Sequence, residues 1–135
     1  MKKIIALDIG DAWTGIAISD GSCMFAAPYE TVASHTLETF LKSLFAKQEI
    51  GTVVVGYPKT MRDTVSEQTK KVEQIKNELE KTFSSISWIL WDERLSSKHA
   101  SQLKHAKTKA EKLKSHAIAA AYILEAYLTY RSSQT

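Results

Sequence analysis

One cysteine, Cys23, stands among 135 residues, which excludes an intramolecular disulfide and any zinc site built from several thiolates. The plainer role left to it is that of a small buried hydrophobe. Apolar runs are short: none approaches the roughly 18 residues of a membrane span, and no membrane partner is expected. The two amino-terminal lysines precede only a brief apolar stretch with an aspartate inside it, unlike a secretory leader. Proline and glycine are sparse, at two and five, and no repeat, low-complexity tract or linker interrupts the pattern. The expectation is a cytoplasmic protein with one domain over residues 1–135, its 44% hydrophobic content enough for a core.

The charge is unevenly placed. The net value is +3, yet residues 98–114 hold six lysines and one glutamate, so this segment is +5 and the rest −2. Such a run is either a solvated helix face or an electrostatic footprint for the phosphates of a nucleic acid. Lys104, Lys107, Lys109, Lys112 and Lys114 are its candidate phosphate contacts.

Hydrophobic periodicity orders the chain. Residues 3–8 and 13–19 read as two strands joined by a short turn through Gly10 and Asp11, hence a hairpin. Residues 23–32 read as a third strand, with Pro28 placing it at an edge or an end. Apolar positions at helical spacing predict a helix over 35–48, with Ser34 as its N-cap. The β-branched run Thr52–Val55 reads as a parallel strand covered on both faces. A charged amphipathic helix over 66–83 and a strand over 86–91 follow. The remainder is helical, with Leu113, Ala117, Ala120, Leu124 and Leu128 on one stripe and Ala119–Ala121 small enough for close packing on a sheet. The fold class is α/β: a five-stranded mixed sheet, three antiparallel strands then two helix–strand units, flanked by helices.

Two strands end in carboxylates, the first at Asp8 and the last at Asp92-Glu93. A buried charge without a partner costs several kcal/mol. Carboxylates brought together repel unless they share a proton or a metal. A hard divalent cation such as Mg²⁺ is a usual partner for such oxygens. The expectation is that these strand ends emerge side by side and hold a cation; a structural aspartate at a strand end is the plainer alternative.

The stretch Leu7-Asp8-Ile9-Gly10, continued by Gly15-Ile16-Ala17-Ile18-Ser19-Asp20, resembles the opening motif of the YqgF/RuvX family. Val54-Val55-Gly56-Tyr57-Pro58 with Met61, Trp91-Asp92-Glu93-Arg94-Leu95-Ser96, and Ala119-Ala120 with Ile123 to Leu128 resemble its later motifs, in the same order. These are Holliday-junction-resolvase-like proteins of the ribonuclease H-like superfamily, with a nuclease role in pre-16S rRNA processing ascribed to them. The resemblance implies a two-metal phosphodiester hydrolase using Mg²⁺ or Mn²⁺, with Asp8 and Glu93 as metal ligands and structured RNA, within a ribosomal precursor particle, as substrate. His116 falls where the family has its third acidic residue, so the implied catalytic and metal set is Asp8, Glu93 and His116. Arg94 is either a phosphate contact or the ion-pair partner of Asp92, and Gly10 admits either substrate or a tight turn. Asp11, Ala12 and Trp13 stand where the family has threonine and basic residues, and Arg62-Asp63 where it has Asp-Gly. A DNA endonuclease acting on branched junctions and a non-catalytic nucleic-acid-binding factor are the competing functions. A monomer or weak dimer is expected, since no dimerisation seam is evident. Trp13 and Trp91 are read as core or rim residues before base-stacking ones.

Overall fold

The structure, a computed structural model, describes residues 2–57, 67–92 and 108–134, the side chains of 109–113 excepted. Five strands, β1 (Lys3–Ile9), β2 (Trp13–Ser19), β3 (Ala26–Ala33), β4 (Ile50–Tyr57) and β5 (Ser87–Asp92), form one sheet of order β3-β2-β1-β4-β5. The first three are antiparallel, and β1, β4 and β5 run parallel. Helices α1 (Leu37–Lys47), α2 (Glu67–Thr82) and α3 (Lys109–Ser133) cover it.

Alternation along β1 sorts its side chains onto two faces. Ile5, Leu7 and Ile9 join Leu41 of α1 and Val72 of α2 in one core. Ile4 and Ala6 join Ala120 and Leu124 of α3 in the other. On the α3 face, the small residues Ala6 and Ala17 share a core with Ala120 and Ala121 of the helix, all buried. The alanines thus set α3 close to the sheet, as their size implied. Leu113 lies among the side chains outside the described set.

Two local readings are corrected. The third strand begins at Ala26 rather than residue 23, because Cys23 adopts a left-handed φ of 57° inside a turn. That turn is organised by Asp20, whose carboxylate accepts from the backbone N–H groups of Met24 (2.9 Å) and Phe25 (3.0 Å) and from the Ser22 hydroxyl. These bonds to the charged form hold its pKa down at about 2. Ser34 does not cap a helix: it opens a 3-10 turn, Ser34–Thr36, and α1 starts at Leu37. Trp91, read as a core or rim residue, lies in the core, 9% exposed. Among the described residues no helix is long and apolar enough to cross a membrane.

Candidate active site at the carboxyl ends of the parallel strands

Asp8, half-buried, is the penultimate residue of β1. Its Cα partners are Gly15 on β2 and Gly56 on β4. Gly15 in turn lies opposite Thr31, and Gly56 opposite Trp91. One register row therefore crosses all five strands as Thr31, Gly15, Asp8, Gly56 and Trp91. Residues paired in register share a face, and Trp91 packs into the α3 core, so the carboxylate of Asp8 belongs to the face that α3 covers. The two glycines add no side chain on either side of it. Crevices beyond the carboxyl ends of parallel strands are the usual ligand sites of open α/β sheets.

The start of α3 is brought to this row by Gly15. A Cβ at Gly15 would overlap the carbonyl of His116 and stand 2.7 Å from the nitrogen of Ala117. Only a residue without a side chain lets the helix backbone approach so closely. His116, half-buried, is thereby held beside the strand that pairs with Asp8. No motif singled out Gly15 for this contact; a glycine in the interior of a predicted strand was the available signal.

The β1–β2 turn is pinned from outside. The N–H of Gly10 donates to the carbonyl of Trp13 at 3.0 Å, and a Cβ at Gly10 would stand 2.7 Å from that oxygen, so Gly10 serves a tight turn. The Ser34 hydroxyl donates to the carbonyl of Gly10 at 2.6 Å, and its N–H to that of Ala12 at 2.9 Å. With its proton so committed, Ser34 accepts from the fully buried Thr14 hydroxyl at 2.9 Å. Asp11 faces Lys71 of α2 at 3.7 Å, an exposed pair worth about 0–1 kcal/mol.

The carboxylate-bearing strands are not adjacent, contrary to expectation. β4 lies between β1 and β5, setting their backbones roughly 10 Å apart at two strand spacings. Asp92, opposite Tyr57, alternates onto the other face from Trp91. Glu93, Arg94, Lys104 and Lys107 lie outside the described residues. Lys109 and Lys112 lie in α3, and Lys114 is exposed in its early turns, two residues from His116. His35 sits in the 3-10 turn. Among the described residues no group of three or more His, Cys, Asp or Glu side chains converges on a metal position. Asp8 does offer carboxylate oxygen, the donor that Mg²⁺ and Mn²⁺ favour, and imidazole at His116 suits the later divalent metals.

A family model described as RuvX, Holliday junction resolvase, matches residues 2–130. The chain belongs to the RuvX family. It is 34% identical over 127 residues to a Rubrobacter xylanophilus protein, covering 93% of this chain and 91% of that one, and 35% identical over 133 residues to one from Thermoanaerobacter pseudethanolicus, covering 93% and 95%. Both relatives bear the name "Putative pre-16S rRNA nuclease". This RuvX-family fold also matches T. thermophilus RuvC in complex with Holliday junction substrate, with a TM-score of 0.62 and 12% identity over 98% of this chain and 96% of the other. At that identity the likeness is one of fold, and the sheet is of the ribonuclease H-like kind, as the opening motif implied.

Proposed function

We propose that this protein is a metal-dependent nuclease that cleaves phosphodiester bonds in structured RNA, in the processing of the 5′ end of pre-16S rRNA. The carrying observation is the convergence of Asp8 with the first described turns of α3 through Gly15. It sets a carboxylate, an imidazole-bearing residue and the exposed Lys114 at one end of the sheet. Asp8 and Glu93 would hold the divalent ions, with His116 as a third ligand; bound there, they would activate water and stabilise the leaving oxygen. Asp92 belongs to the opposite face, which leaves Glu93 as the candidate of that pair. Lys114, with Lys104, Lys107, Lys109, Lys112 and Arg94, would neutralise phosphates and orient the backbone across Asp8. The pinned turn at Gly10 holds the end of β1 beside Asp8, so the carboxylate needs little reorganisation.

A DNA endonuclease acting on branched junctions is the second reading. The description of the matching family model and the junction-bound RuvC neighbour favour it. The test is cleavage by purified protein of a pre-16S rRNA fragment and of a four-way DNA junction, each with Mg²⁺, Mn²⁺ or chelator. Metal-dependent cleavage of the RNA alone supports the first reading, and of the junction alone the second. Binding of either without cleavage under any metal would leave a non-catalytic binding factor.

A further inference from the structure

Helix α3 crosses its face of the sheet, from Gly15 on β2 near its start to Trp91 on β5 near its end. There, Tyr127 and Tyr130, one turn apart on the helix, both meet the indole of Trp91. Tyr127 packs edge-on, with ring centroids 5.7 Å apart at 88°, and Tyr130 tilted, at 5.5 Å and 59°. The indole N–H of Trp91 is buried with no hydrogen-bond partner among the described residues, and the two tyrosine rings pack against its indole. Tyr127 is half-buried, whereas Tyr130 keeps 51% of its surface open.

We propose that Tyr130, backed by Trp91, is a stacking platform for an unpaired base of the nucleic acid whose phosphodiester lies at Asp8. The inference rests on the nuclease reading and adds to it a second point of contact. A lone exposed aromatic is ordinary on a protein surface. Three observations set this one apart. Its ring is already ordered from behind, so stacking costs it little further freedom. Its support, Trp91, shares the register row of Asp8 two strands away, which places the platform along the same end of the sheet as the carboxylate. Arg131, exposed, is the one charged residue from Thr129 to Gln134, a cation next in sequence for the phosphate of the stacked nucleotide. A base offers a π-face whatever its identity, so the platform selects unpaired over paired nucleotides rather than one sequence over another.

The experiment measures binding, with chelator present, of a single-stranded RNA carrying one 2-aminopurine and of a blunt duplex of equal length. Tyr130→Ala is expected to weaken the single strand by about 5- to 150-fold, to remove stacking-induced quenching of the 2-aminopurine, and to leave the duplex unchanged. Tyr130→Phe keeps affinity and quenching. Tyr130→Leu keeps an apolar cover on Trp91 but loses both, which separates stacking from mere shielding of the core. Parental affinity and quenching in both Tyr130→Ala and Tyr130→Leu overturn the platform alone. Equal losses in Tyr130→Phe overturn it in favour of the hydroxyl. A parent protein that binds neither probe overturns the nuclease reading with it.

Discussion

The carbonyl of His116 occupies the space into which a side chain on Gly15 would project, and Gly15 pairs directly with Asp8. One glycine thus decides how close the start of α3 comes to the strand-end carboxylate. Gly15→Ala is expected to push the helix off the sheet and destabilise the protein by about 1–3 kcal/mol. Urea unfolding measures this, and cleavage by the folded fraction should fall with it.

Asp8→Asn keeps the volume of the side chain while removing the charge proposed to hold the metal. Metal-ion catalysis contributes several kcal/mol, so activity should fall by more than about a hundredfold. The circular dichroism spectrum should match the parent. An Asp8→Asn protein that cleaves at the parental rate would remove this residue from the site.

The hydroxyl chain from Thr14 through Ser34 to Gly10 has one weak point. Ser34→Ala leaves the fully buried Thr14 hydroxyl without its acceptor, at a cost of about 1–3 kcal/mol. Adding Thr14→Val removes the stranded donor, so the double variant should recover part of that loss in a double-mutant cycle. Simple additivity of the two losses would show that the hydroxyls act independently.

His116 as a ligand predicts a metal preference. Imidazole favours Mn²⁺ over Mg²⁺ relative to an all-carboxylate set. His116→Asp should therefore raise activity with Mg²⁺ more than with Mn²⁺. An unchanged ratio of the two activities would mean that the imidazole touches no metal.

Asp20 gives the loop before β3 a pH dependence of known sign. Its carboxyl is held at about 2 by the bonds from Ser22, Phe25 and Met24, below the ordinary value near 3.9. A depressed folded-state pKa means a contribution fully present above about pH 4 and lost as pH falls through about 2. Asp20→Asn should flatten stability across that window. Amide exchange at Met24 and Phe25, compared at pH 4 and at the acid end, reads the loop itself.

Much of this protein was legible along the chain. The aliphatic run Ile4–Leu7 and the unbroken run Val53–Val55 were legible as strands, because short apolar runs covered on both faces suit the interior of a sheet. The helical spacing of Ala117, Ala120, Leu124 and Leu128 determined α3 and its buried stripe. Asp8 was legible as a candidate because a carboxylate near the end of an apolar strand requires a partner. The hairpin of β1 and β2 was legible from the short turn between them, but the order of the parallel strands was not, since it depends on contacts between residues far apart in sequence. Only the tertiary structure interposed β4 between the carboxylate-bearing strands and turned Asp92 to the other face. Ser34 shows the same limit: its local pattern suits an N-cap, but the Gly10 carbonyl and the Thr14 hydroxyl, 24 and 20 residues away, claim its side chain. Gly15 shows it most clearly. A strand glycine reads as a weak point until the helix that fills its missing side chain arrives from a hundred residues downstream.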